Sequence, residues 1–173
     1  MSPIESALVK AAVSGGAIAL VLFKTKHMTR EELGLVRPAN LPLTLGIMAL
    51  YFAWMLGTNT LIGWRGPWDW TPWLAAPLLA SVLRVLAVGV LGPIAEELIF
   101  RGWFFGLLKT RIGVAATLLL TSAGWAVLHY SYDWAVIGVI VVDGLLLGLA
   151  RLTSRSVYPP IAMHILYNLY AVW

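Results

Sequence analysis

Apolar residues run along this chain in long blocks separated by short polar segments. The blocks cover residues 5–23, 41–63, 73–91 with a continuation to 109, 113–131, 134–151 and 157–173. A helix needs roughly 20 apolar residues to cross the hydrocarbon of a bilayer. The pattern therefore predicts an all-α, polytopic transmembrane helix bundle of about six spans, with residues 1–173 as one integral membrane domain and a polar cavity inside it. The third block is too long for one simple crossing at about 1.5 Å per residue. Gly92-Pro93 in its middle predicts either a kinked or tilted helix, or a span followed by a shorter membrane helix. Pro159-Pro160 suits the first turn of the last helix, where a missing amide hydrogen costs nothing.

The polar segments agree with that count. Residues 24–40 hold Lys24, Lys26, Arg30 and Arg37; the segment 64–72 holds Arg65 balanced by Asp69; Lys109 and Arg111 mark the next turn; residues 130–134 hold no basic residue; Arg151 and Arg155 mark the last. Basic and non-basic loops alternate, as orientation by the positive-inside rule requires. The first, third and fifth loops are expected on the cytoplasmic side and both termini outside. Trp64, Trp68, Trp70 and Trp73 suit the outer membrane–water interface, where indole rings settle. The first apolar block is followed by Phe23-Lys-Thr-Lys-His27 and no small-residue cleavage site, so it reads as a retained span rather than a signal peptide.

Composition fixes the solvent. Of the 173 residues 60% are hydrophobic and 12% charged, against roughly 25% charged in soluble domains. The net charge of +4 lies in short loops between apolar runs and does not point to nucleic acid. The absence of cysteine excludes disulfides, a thiol nucleophile and thiolate metal ligands.

Few ionisable groups remain inside the apolar blocks: Arg84, Glu96, Glu97, Arg101, His129, Asp143 and His164, joined by the neutral Asn168. A charge in a bilayer costs several kcal/mol on insertion scales, about ten or more in some simulations, and reads by default as functional. Helical residues four apart share a face. Glu97 and Arg101 can thus neutralise each other, while Glu96, about 100° around the helix, is left for chemistry. His164 and Asn168 repeat the spacing on the last block, as do Trp125 and His129 on another. Asp143 and Arg84 lie at similar depths in antiparallel order and are expected to form a structural ion pair. Lipid must drive the polar faces of these three segments inward. Glu96, His129, His164 and Asn168 would then surround one water. A buried carboxylate can take a proton from that water, a histidine can orient it, and an imidazole and an amide can donate to a tetrahedral oxyanion. Other hydrolase machinery is missing: there is no His-Glu-x-x-His zinc motif, no Gly-x-Ser-x-Gly elbow, and no second intramembrane aspartate to pair with Asp143.

Two other readings fit the same residues less well. Glu96, His129 and His164 can be taken as a two-histidine, one-carboxylate zinc site, although they lack local metal spacing. A non-catalytic membrane protein, such as a proton-coupled carrier or an immunity subunit, also uses buried carboxylates and histidines, but the small size and lack of an internal repeat argue against a carrier.

The motifs resemble those of the CPBP intramembrane proteases, which include the type II CAAX prenyl endopeptidases and the bacterial Abi proteins. Glu96-Glu97-Leu-Ile-Phe-Arg101 matches the Glu-Glu-x-x-x-Arg motif, with Gly102 after it. Trp125 and His129 match an aromatic-x-x-x-His motif that usually carries Phe, and His164 and Asn168 match His-x-x-x-Asn. The likeness covers roughly residues 85–173. It implies a glutamic-type endopeptidase, without cofactor, that cuts near the C-terminus of a membrane-anchored or C-terminally tagged protein substrate. It further implies Glu96 as the base acting with His129, His164 and Asn168 as oxyanion stabilisers, and Glu97 with Arg101 as the pair that holds the site together. The implied setting is the lipid bilayer of a bacterial or archaeal inner membrane; no substrate-binding residue is designated.

Overall fold

The computed structural model describes residues 1–63 and 75–171. The tryptophan-rich segment with Trp64, Trp68, Trp70 and Trp73, and the Arg65–Asp69 balance, lie outside these residues. The described elements are all helices: α1 Pro3–Lys24, the short α2 Arg30–Leu33, α3 Leu41–Ile62, α4 Leu78–Ile112, α5 Val114–Val127, α6 Trp134–Ser154 and α7 Tyr158–Ala171. The chain is thus an all-α helical membrane protein, with a helix for each of the six apolar blocks. Four of these, α1, α3, α4 and α6, are long and apolar enough to cross a bilayer, while α5 is a shorter apolar helix of 14 residues.

Helix α4 resolves the uncertainty at Gly92-Pro93. It continues through the pair for 35 residues, about 50 Å at 1.5 Å per residue, far beyond the roughly 30 Å of hydrocarbon. Pro93 has no amide hydrogen to give the turn before it. The helix absorbs the loss in a π-helical stretch, Val85–Leu91, where wider turns replace the ordinary ladder, and the Gly92 amide bonds back to the Ala87 carbonyl. A second π-helical stretch, Leu98–Phe104, follows Glu97. Such wide turns recur at functional sites because they redirect side chains and free carbonyls. Here they bracket the two glutamates.

Helix α6 is the centre of the bundle, packed on α3, α5, α7 and α4, while α1 lies on α4. The core cluster joins Tyr51 and Met55 of α3, Phe100 of α4, Trp125 of α5, Ile140, Leu147 and Ala150 of α6, and Met163 and Tyr167 of α7. Close approach of α5 and α6 requires Gly144: a Cβ there would stand 2.9 Å from the Ser122 Cβ and 3.0 Å from its Cα. Thr44, Thr58 and Thr121 return their hydroxyls to backbone carbonyls one turn back, so these demand no partner from lipid.

The three basic segments share one end of the bundle. Residues 24–40 fold over α4 there, helped by the Thr29–Glu32 capping box of α2. The loop is tied to the α6–α7 turn by Val157 N to Gly34 O at 2.9 Å, Ala39 N to Ser154 O at 2.8 Å and Ser156 Oγ to Val36 O at 2.7 Å. Arg151, read from the sequence as a loop charge, is instead 3% exposed. Its guanidinium donates to the carbonyls of Arg101 (2.9 Å) and Glu32 (3.1 Å) and lies over the Phe105 ring. Gly34, at φ +72°, leaves the room that the guanidinium fills: a Cβ would sit 2.5 Å from its Cζ.

Candidate active site

The adjacent glutamates of α4 have different environments, as their 100° separation requires. Glu97 is fully buried. Its Oε1 accepts from Arg101 Nη1 at 2.9 Å and lies 2.9 Å from His164 Nδ1. Arg101, also fully buried, donates through Nη2 to the Gly144 carbonyl at 2.9 Å and lies 5.0 Å from the Trp125 ring. The i,i+4 pair is therefore stapled to α5, α6 and α7 together. Taking one member away would strand a buried charge, a loss of about 3–5 kcal/mol.

Glu96 is 31% exposed and reaches a cavity of about 510 Å³. The walls of this cavity include Glu96, His129, His164 and Asn168, together with Trp125 and Asp143. Four candidate residues from three segments thus meet at one space. His164 Nε2 stands 3.9 Å from Glu96 Oε2. Its ring packs edge-on to Trp125 with centroids 5.1 Å apart.

Three details were not visible in the motifs. The Trp125 indole N–H donates to Glu96 Oε2. The sequence reading treated Trp125 only as an aromatic equivalent of Phe, but its N–H adds a bond to the carboxylate that Phe cannot make. Next, α5 ends at Val127 rather than near 131, so His129 sits in the turn beyond it, half-buried, with Nδ1 3.2 Å from the Trp125 carbonyl. The same carbonyl accepts from the Leu128 amide at 3.1 Å in the tightened last turn of α5. The chain must then reverse, because the Asp133 side chain caps α6 through the Val136 amide at 3.0 Å. Finally, Asn168 Nδ2 donates to the Val88 carbonyl at 3.0 Å, inside the first π-helical stretch. An amide nitrogen carries two hydrogens, so one fixes the side chain and the other remains.

The expected Asp143–Arg84 ion pair is corrected. Both residues line the cavity, but among the described residues neither Asp143 oxygen has a hydrogen-bond donor. Equal depth on antiparallel helices did not bring the side chains together, because helix rotation and not depth sets that distance. Among the described residues, no three histidine, aspartate or glutamate side chains are grouped to hold a metal.

A family model described as type II CAAX prenyl endopeptidase Rce1-like matches residues 77–170, more than half of the 173-residue chain. No curated protein and no solved structure matches it. The matched stretch runs from α4 to α7 and contains every candidate residue above, so the chain belongs to the Rce1-like type II CAAX prenyl endopeptidases, a family of intramembrane proteases.

Proposed function

We propose that the protein hydrolyses a peptide bond near the C-terminus of a membrane-associated protein substrate, with Glu96 as the base that activates water. The observation that carries this reading is the facing of Glu96 and His164 at 3.9 Å on a cavity also lined by His129 and Asn168. Trp125 and His164 both address Glu96 Oε2, which leaves Oε1 for a water. Glu96 takes a proton as the water oxygen attacks the scissile carbonyl carbon. The carbonyl oxygen becomes an oxyanion that accepts from His164 Nε2–H and from the second amide hydrogen of Asn168. As the C–N bond breaks, Glu96 returns the proton to the leaving amine, with His129 at the cavity wall orienting the water. Preorganised donors of this kind are worth about 10²–10³ in rate each, and a positioned base about 10²–10⁴. The end of the bundle where the basic segments meet is read as the cytoplasmic face, from the positive-inside rule.

Purified protein in nanodiscs, incubated with C-terminally tagged membrane peptides, tests the reading. Glu96→Gln keeps the shape and removes the base. Cleavage is expected to fall by about 10²-fold or more, with helix content and thermal unfolding unchanged. Undiminished cleavage by this variant refutes the role of Glu96.

A further inference from the structure

Arg151 of α6 carries a buried charge that no carboxylate answers. Its Nε and Nη2 give to the neutral carbonyls of Arg101 and Glu32, and the Phe105 ring lies 5.4 Å from its Cζ. Among the described residues no carboxylate forms an ion pair with it, and its Nη1 donates no hydrogen bond. The other buried arginine, Arg101, has Glu97. Taking an ionised group out of water is expensive, and neutral acceptors offset the cost only in part.

Arg151 also lines a second cavity, of about 720 Å³, at the end of the bundle where the basic segments meet. Lys109 and Arg155 stand on the same wall, with Glu31 as its one carboxylate. Three cations thus outnumber one anion, and neither Lys109 nor Arg155 has an ion-pair partner among the described residues. Val114, also on the wall, is the first residue of α5, whose N-terminal amides have no side-chain cap and keep hydrogens to give to an anion. Depth narrows the choice of anion. Helix α6 is 21 residues long and ends at Ser154, about 30 Å of helix, which equals the thickness of the hydrocarbon. Its last turn, with Arg151, and the Arg155 that follows therefore lie where hydrocarbon gives way to headgroups. Leu152 and Phe105 add an apolar side to the cavity.

We propose that this cavity binds the phosphate group of an anionic phospholipid, held by Arg151, Lys109 and Arg155, with an acyl chain against the apolar side. A guanidinium presents a planar fork of donors that matches phosphate oxygens. Arg151 is set in place beforehand by its two carbonyls and by the room that Gly34 leaves, so little freedom is lost when the phosphate arrives. A zwitterionic lipid brings its own cation into a wall already rich in cations and gains less there. A soluble anion meets the same charges but leaves the apolar side uncovered. Because Arg151 bonds the carbonyls of Arg101 on α4 and Glu32 on α2, a lipid on its guanidinium clasps α2, α4 and α6 together. The inference does not depend on the hydrolysis proposed above.

Native mass spectrometry of the full chain, released from nanodiscs that mix phosphatidylcholine with phosphatidylglycerol, tests it. The parent protein is expected to retain phosphatidylglycerol in preference to phosphatidylcholine. Its thermal unfolding is expected at a higher temperature in the mixed nanodiscs than in phosphatidylcholine alone, as for any ligand of the folded state. Lys109→Gln combined with Arg155→Gln changes two exposed side chains. This pair is expected to weaken retention of phosphatidylglycerol about tenfold or more and to remove most of the thermal shift. Lys24→Gln combined with Arg111→Gln removes the same charge from exposed positions at the same end, outside the cavity, and is expected to keep both effects. A parent that holds the two lipids equally well overturns the proposal without any variant having to fold. Equal losses in the two double variants overturn it in favour of diffuse surface charge. Inorganic phosphate that raises the unfolding temperature as much in phosphatidylcholine nanodiscs assigns the cavity to a soluble anion and overturns the lipid.

Discussion

Helices α1 and α6 are nearly the same length, 22 and 21 residues, and both are apolar enough to cross a membrane; yet 11% of the first is buried in the protein and 56% of the second. Apolar composition puts both in lipid and says nothing more, because lipid tails are as apolar as a leucine-lined core. Small and polar residues make the difference. In α1, Gly15 and Gly16 have nothing within 4 Å of where a Cβ would be, whereas in α6 Gly144 and Gly148 are in near contact with Ser122 and Leu118 of α5. Helix α6 also carries Asp143 and Arg151, both buried, and Arg151 is placed against the Arg101 carbonyl. Within a membrane, then, the interior helix is the one that gives up side-chain volume and keeps charge.

The comparison breaks most directly at the ion pair that joins α6 to α4. Glu97→Gln leaves Arg101 buried without its carboxylate and removes the His164 Nδ1 partner. We expect a loss of about 3–5 kcal/mol in stability, read as a marked drop in thermal unfolding temperature and membrane yield, together with lost cleavage. Normal stability in that variant would mean that α6 is not held through Arg101.

A matched pair of glycine replacements sharpens the contrast between the helices. Gly144→Ala forces a methyl against the Ser122 backbone and is expected to cost about 1–3 kcal/mol. Gly15→Ala meets open space and is expected to stay within about 0.5 kcal/mol of the parent. Equal effects in thermal unfolding would remove the distinction drawn between the two helices.

The smallest effect among the site residues is expected at Trp125→Phe. It keeps a ring against Arg101 and His164 and deletes only the N–H donated to Glu96. One hydrogen bond is worth about 1 kcal/mol, so kcat/KM should fall roughly fivefold while the unfolding temperature hardly moves. Cleavage kinetics on both proteins would show it; a large change in stability would place Trp125 in the packing rather than in the site.

Local features were legible in the chain. The apolar blocks became helices because length and hydropathy alone decide whether a segment can reside in lipid. The Glu97–Arg101 pair formed because four-residue spacing puts two side chains on one helical face whatever surrounds them. Glu96 stands apart from Arg101 for the same reason. Short-range rules failed at the α5 end at Val127, set by the reversal into Asp133; at Gly92-Pro93 they left two courses open, and α4 takes the continuous one through π-helical turns.

From the sequence alone came the solvent, the number of apolar helices, and which few polar residues had to be sheltered, since each follows from transfer energy or from one helix's own periodicity. Tertiary structure alone decided who meets whom. It set His164 between two neighbouring carboxylates, tied the Asn168 amide to the Val88 carbonyl, and drew Arg151 inward from the loops. It also denied Asp143 a bond to Arg84. Those contacts depend on the rotation and spacing of helices far apart in the chain, which the close approach of glycines and the freed carbonyls of α4 determine, and which no single segment encodes.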